Sequence, residues 1–170
     1  MTNHHPSSEL NIRPASFEDI PFIRDIAAKT WPVAYGSILS KDQLDYMLDM
    51  IYSHQALEQQ MKDRHYFFLA LLNYEAVGFC AFSKLEGSIY KLHKLYVLPG
   101  NQKKGLGESL LKVTETTSKS MGGRHLQLNV NRNNNAQHFY RKNGFEIIRE
   151  EDIDIGNGYF MNDFIMEKPL

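Results

Sequence analysis

Between residues 16 and 61 the apolar positions keep a helical spacing. Ile20, Ile23 and Ala27 share one face of SFEDIPFIRDIAAKTW, with Ser16 placed to cap it, which predicts a first helix ending near Trp31-Pro32. Ser40 and Gln43 have capping-box spacing ahead of Leu44, Met47, Leu48 and Ile51, so a second helix follows. The same spacing resumes at Ala56, Leu57 and Met61 after a break at Ser53. From residue 65 the period changes. HYFFLALLNYEAVGFCAF holds two runs rich in aromatic and branched residues around the polar corner Asn73 to Glu75, the pattern of an antiparallel hairpin. SIYKLHKLYVL is the next strand, stopped by Pro99-Gly100-Asn101 before the helix LGESLLKVTETTSKSM. HLQLNVN alternates Leu126, Leu128 and Val130 with polar residues, as a half-buried strand does. A short helix in NNNAQHFYRKNGF, capped by Asn133 and closed by Gly144, leads to FEIIREEDIDI and YFMNDFIMEKPL, which flank the hairpin turn Gly156-Asn157-Gly158. With a short strand over residues 10–13 at the start, this order predicts a mixed α/β sheet with helices on both faces.

Composition narrows the function classes. The chain has 170 residues, 42% of them apolar, enough for one compact domain and too few for two. The polar start predicts a flexible tail over residues 1–9 and a single domain over 10–170. A formal charge of -1 gives no global field to attract nucleic acid or an anionic membrane, so any anion site must be local. Cys80 is the lone cysteine, no metal-ligand pattern stands out, and neither a leader nor a long apolar span is evident; the expected setting is the cytoplasm. Cys80 lies in an apolar run and reads as a small buried hydrophobe. The asparagines Asn129, Asn131 and 133–135 read as solvated strand and turn positions.

The junction GNQKKGLGESLL carries the candidate chemistry. A dinucleotide fingerprint needs a third glycine where Leu110 stands, and a nucleoside-triphosphate loop ends in Gly-Lys-Ser/Thr, whereas Lys103 and Lys104 precede the glycine. What remains is Gln102-x-x-Gly105-x-Gly107 at a strand-to-helix junction. There the first amide hydrogens lack partners inside the helix and the dipole is positive, the conditions for a pyrophosphate cradle. Gly105 and Gly107 let backbone approach phosphates, and the two lysines add charge at the rim. A tight turn with solvated lysines explains the motif alone equally well.

Two motifs together carry more. VLPGNQKKGLG matches Val-x-Pro-x-x-Gln/Arg-x-x-Gly-x-Gly/Ala, and NNNAQHFYRKNGF, one helix and one strand later, matches Asn-x-x-Ala-x-x-Phe-Tyr-x-x-x-Gly-Phe. In these motifs and their order the chain resembles the GNAT superfamily of acetyl-CoA-dependent N-acetyltransferases over about residues 10 to 170. The resemblance implies a mixed, mostly antiparallel, seven-stranded sheet with helices on both faces and a central parallel strand pair splayed around the cofactor. It implies that the diphosphate of acetyl-CoA lies on Gln102, Lys103, Lys104, Gly105, Leu106, Gly107 and Glu108, chiefly on backbone amides. Free backbone groups near Leu95, Tyr96 and Val97 would pair with the acetyl carbonyl and pantetheine arm. Asn133 would contact the pantetheine, while helix capping accounts for it equally well.

Ala136, Phe139 and Tyr140 share a face of the short helix, so core packing is the ordinary reading of Tyr140. The resemblance makes its hydroxyl the general acid that protonates the departing thiolate, and a phenol with pKa ~10 remains protonated where a thiol of ~8.5 ionises. An acceptor amine with pKa ~10.4 lies ~4.6 kcal/mol from its neutral form at pH 7, so a proton acceptor is needed. Many members of the superfamily place a glutamate on the strand before the cofactor loop; IYKLHKLYVL carries none. His93 is the candidate base, expected by alternation on the same face as Leu95 and Val97 and titrating in the right range, with a hydrogen-bonded histidine beside the core as the alternative. A water chain is a further route.

The N-terminal helices are expected to wall the acceptor. KTWPVAYGSILSKDQLDYMLDMIY resembles a bacterial branch that includes polyamine acetyltransferases. Trp31 and Tyr35 are the candidate acceptor-binding residues, with Asp42, Asp45 or Asp49 as sources of negative potential. The expected activity is acetyl transfer to a primary amine of a small molecule, a polyamine among the candidates. The alternatives are N-terminal or lysine acetylation of proteins, or a non-catalytic acyl-CoA-binding module. Homodimers are common among similar proteins, though no segment marks an interface.

Overall fold

The computed structural model describes residues 8–102 and 105–170. Most of the expected tail lies outside the described residues. Glu9 lies within them and is tied to Asn73, its N–H donating to Asn73 Oδ1 at 3.0 Å while its C=O accepts from Asn73 N–H at 2.9 Å.

Strand β1 (Leu10–Pro14) leads through a 3-10 turn (Phe17–Asp19) into α1 (Ile20–Tyr35), α2 (Lys41–Tyr52) and α3 (His54–Lys62). Helix α1 runs through Pro32 and ends one turn later than its sequence suggests. An interior proline costs about 3 kcal/mol. The extra turn buries Tyr35, with its ring centroid 4.7 Å from that of Trp31. Burying such a ring returns roughly 1.5–3 kcal/mol and the aromatic pair roughly 0.5–1.5, enough to carry the helix past the break. Ser40 and Ser53 each accept a backbone N–H at 3.2 Å, from Gln43 and Ala56, and these caps divide α2 from α3. The Gln43 side chain reaches forward to donate to the Phe160 carbonyl at 3.0 Å, fastening α2 to the last hairpin.

Strands β2 (Tyr66–Leu72) and β3 (Glu75–Glu86) are joined at Asn73 and Tyr74, both with positive φ, as a tight hairpin requires. β4 (Ile89–Val97), α4 (Leu106–Ser120), β5 (His125–Asn131), α5 (Ala136–Lys142), β6 (Glu146–Gly156) and β7 (Tyr159–Pro169) complete the chain. The entry to α5 is held by Asn134, whose Oδ1 accepts the Ala136 N–H at 2.9 Å, one residue beyond the expected cap Asn133. The seven strands form one sheet in the order β1-β2-β3-β4-β5-β7-β6. Every neighbouring pair is antiparallel except β4–β5.

Each face of the sheet carries a core. Helices α1, α2 and α3 pack Ile20, Ile23 and Leu57 against Phe79 and Ala81, while α4 and α5 cover Cys80, Phe82, Leu92 and Leu128. This explains why FCAF is continuously apolar: β3 is buried on both sides. Burial pushes the Cys80 thiol up to about 12, so it stays a packed, protonated thiol at neutral pH.

Candidate active site

The site begins where the two parallel strands part. β4 and β5 pair only from Ile89↔His125 to Leu92↔Leu128, and the remainder of each strand runs on unpaired with the other. On its other edge β4 stays paired with β3 as far as Gly78↔Val97, and the Leu98 N–H donates to the Val77 carbonyl at 2.8 Å. Backbone direction alternates along a strand, so the amides of Leu95 and Val97 turn toward the gap and that of Tyr96 toward β3. Of the three residues expected to offer free backbone groups, Leu95 and Val97 therefore face the opening. Tyr96 contributes a phenol instead, 3.1 Å from the Tyr35 hydroxyl. Gln102 Nε2 donates to the Val97 carbonyl at 3.3 Å and ties the following loop to the strand end.

That loop ends at Gly105, whose φ of 71° is the left-handed region a side chain disfavours, and α4 starts at the next residue. Leu106 is buried beneath the helix while Gly107 and Glu108 lie toward the surface, so the first-turn amides of all three point out of the helix end. A β-carbon on Gly107 would lie 3.4 Å from the Phe139 ring, so that glycine lets the helix end sit close to α5. Lys103 and Lys104 lie outside the described residues. A helix N-terminus entered through a left-handed glycine, beside an unpaired strand edge, fits a diphosphate followed by an amide-bearing arm.

Tyr140 lies on α5, the helix that follows β5, next to the Phe139 ring that Gly107 approaches. It packs against Phe139 and Phe145 with ring centroids at 5.2 and 5.6 Å, and burial first, then Tyr35 and Cys80, raise its hydroxyl well above the ordinary phenol range. Tyr140 belongs to the core on the α4–α5 face of the sheet and Tyr35 to the core on the α1 face. Trp31 packs against Tyr35, Tyr52 and Tyr96, a buried member of an aromatic cluster. Asn133 is exposed, its N–H donating to Asn131 Oδ1 at 2.9 Å.

His93 does not occupy the place expected of a base. The β3–β4 register steps from Ala81↔Lys94 to Phe82↔Leu92, leaving His93 as an extra residue in a bulge. The bulge breaks the alternation, so His93 turns away from Leu95 and Val97. It stacks on His65 at 4.4 Å and its Nε2 lies 2.7 Å from Ser83 Oγ. Burial, reinforced by His65, Lys94 and Lys91, brings its pKa down to about 3, and an imidazole held neutral to that degree cannot retain the proton of an amine. Sequence alternation has no means of showing an inserted residue.

The sequence also undervalued the polar positions of β5. Gln127, Asn129 and Asn131 share the face turned toward α1, opposite Leu126, Leu128 and Val130. Asn131 is buried rather than solvated, and Asn129 Nδ2 donates to Asp163 Oδ2 on β7 at 3.3 Å. The strict alternation of HLQLNVN was the available signal: its polar half needs something to face.

Comparison with known proteins agrees with this geometry. A family model for the acetyltransferase (GNAT) domain matches residues 37–161. A protein named spermidine N(1)-acetyltransferase from Thermoplasma acidophilum is 30% identical over 165 residues, spanning 94% of this chain and 96% of that one. The crystal structure of PaiA N-acetyltransferase from Thermoplasma acidophilum in complex with coenzyme A superposes with a TM-score of 0.81 at 28% identity, covering 95% of this chain and 99% of that one. A GCN5-related N-acetyltransferase from Rhodopseudomonas palustris shares the fold at a TM-score of 0.81 and 21% identity, over 99% of this chain and 100% of that one. The protein belongs to the GNAT family of acetyltransferases.

Proposed function

We propose that the enzyme transfers the acetyl group of acetyl-CoA to a primary amine of a small molecule, with polyamines among its acceptors. The observation that carries this reading is the unpaired edge of β4 beyond Leu92 followed by an α4 N-terminus entered through Gly105, with Gly107 set against Phe139, the neighbour of Tyr140 in α5. Acetyl-CoA supplies the activated acyl group. The first-turn amides of Leu106, Gly107 and Glu108 hold its diphosphate, and the Leu95 and Val97 backbone pairs with the arm, aiming the thioester into the gap. The Val97 N–H faces the carbonyl oxygen as negative charge develops there. Tyr140, kept protonated by burial, gives its hydroxyl proton to the departing sulfur and recovers one from the newly acylated nitrogen. The polyamine assignment draws support from the 30% identical relative named for spermidine, and from Tyr35 and Tyr96 as the wall of the acceptor side.

The test is thiol release from acetyl-CoA with a panel of spermidine, putrescine, butylamine, an alanyl-terminated peptide and a lysyl peptide. Release with the free amines well above that with the peptides is expected. Release that stays at the hydrolytic background for every acceptor overturns the reading, and faster release with a peptide moves the assignment to protein acetylation.

A further inference from the structure

Asp163 lies in β7 on the polar face that looks toward α1, opposite Asn131 of β5, and only 5% of its surface is exposed. Its Oδ1 is buried with no hydrogen-bond partner among the described residues. Oδ2 takes one long bond, from Asn129 at 3.3 Å. The charged groups that act on it are Lys91 from β4, Arg132 after β5 and Glu151 from β6. Neither cation closes an ion pair with it among the described residues, and Arg132 is instead spent on Glu150, at 2.9 Å, and Asp152. A buried carboxylate with an empty lone pair is costly, since desolvating a charge without a partner is among the larger penalties a fold can carry. Such a group calls for a cationic donor that arrives from outside.

Its location says which donor. Asn129 and Asn131 line the β5 edge of the gap just beyond the last β4–β5 pair, and Asp163 is one strand further on, about 4.8 Å away in a sheet. Tyr35 of α1 packs on this same face of the sheet, its hydroxyl 3.1 Å from that of Tyr96 on β4, so the carboxylate and this pair of phenols flank the polar face of β5 where that strand runs unpaired with β4. Resting on the acetyltransferase reading above, we infer that Asp163 is the acceptor-side anchor and base: Oδ1 receives the ammonium of the incoming amine, takes one of its protons, and leaves the neutral nitrogen beside the thioester. The nitrogen then forms the bond to the acyl carbon as the carbon–sulfur bond breaks. The proton on Oδ1 passes to solvent after each turnover, and the second nitrogen proton restores the phenol that protonated the sulfur. The net balance is one proton released per amide formed from an ammonium ion. Burial holds the Asp163 carboxyl above the usual carboxylate range despite Asn129, Lys91 and Arg132, which makes it a stronger base than a solvated aspartate.

The probe is the panel amine that wild-type enzyme acetylates fastest. Asp163→Asn keeps the shape and removes the charge; it is expected to lower kcat/KM for the amine about 100-fold. Coenzyme A affinity, measured by calorimetry, should stay within about twofold, and Asp163→Glu should recover part of the rate. Amine kcat/KM within about threefold of wild type in Asp163→Asn overturns the inference while leaving the acetyltransferase reading intact. A wild-type enzyme silent toward every acceptor defeats both. Should Asp163→Asn fail to fold, wild-type inhibition decides. The N,N-dimethyl analogue of the probe, cationic at the reacting position and unable to form an amide, is expected to inhibit at least about tenfold better than the isopropyl isostere that is uncharged at that position, and equal inhibition overturns the anchor.

Discussion

A phenol that gives up its proton only to a nearby thiolate is the most exacting demand the proposed chemistry places on a single residue. Tyr140 meets it through burial, and Tyr140→Phe is expected to lower kcat about 100-fold while coenzyme A affinity changes by less than about twofold, as read by steady-state kinetics and calorimetry. Its helical neighbours Ala136 and Phe139 made that position legible in the sequence, because three- and four-residue spacing sets one face of α5 against the core. His93 was misread for the opposite reason: the inserted bulge residue is invisible to a period of two. Its depressed pKa bears on stability instead. Between its ordinary value of 6.5 and about 3, the unfolded chain binds a proton that the folded chain refuses, so His93 contributes fully above about pH 6.5 and progressively less in acid. Unfolding by urea should show a loss of about 1–2 kcal/mol from this site between pH 7 and pH 5, and His93→Gln should flatten that slope.

Among the elements, β3 is the one on which the others converge. Gly78 sits where β4 and α4 both press on β3: a β-carbon there would lie 2.9 Å from the Tyr96 carbonyl oxygen and 3.3 Å from Leu110 Cδ1 and Val97 Cγ2. Backbone cannot step aside as a side chain can. Gly78→Ala is therefore expected to destabilise the fold by about 1–3 kcal/mol, measurable as a lower Tm, and to disturb the strand that frames the site. An isolated glycine inside AVGFCAF was a readable sign of such an approach. Element boundaries were less readable where distant packing intervened. The extra turn of α1 after Pro32 depends on Trp31 and Tyr96, and Tyr96 lies 61 residues beyond Tyr35, outside any local window.

For the molecule as a whole, the order of elements anticipated a mixed α/β sheet with helices on both faces, and the resemblance to the GNAT superfamily implied its seven strands and central parallel pair. What ties α2 to the β6–β7 hairpin was not legible, because it rests on pairings such as Tyr46 Oη to the Ile155 carbonyl, 3.0 Å apart and 109 residues distant in sequence. That bond and the Gln43–Phe160 contact hold the β6–β7 hairpin to α2 across the proposed acceptor side. Tyr46→Phe should speed amide hydrogen exchange in the hairpin and raise KM for the amine severalfold, with KM for acetyl-CoA unchanged. The short β4–β5 contact has a mechanical corollary. Two plates joined along only part of their seam flex about the joined end, and whatever bridges the open part clamps them. An arm bonded to the Leu95 and Val97 amides would be such a clamp, so the empty enzyme should be the more compliant form and the loaded one stiff at the moment its reacting groups must hold still.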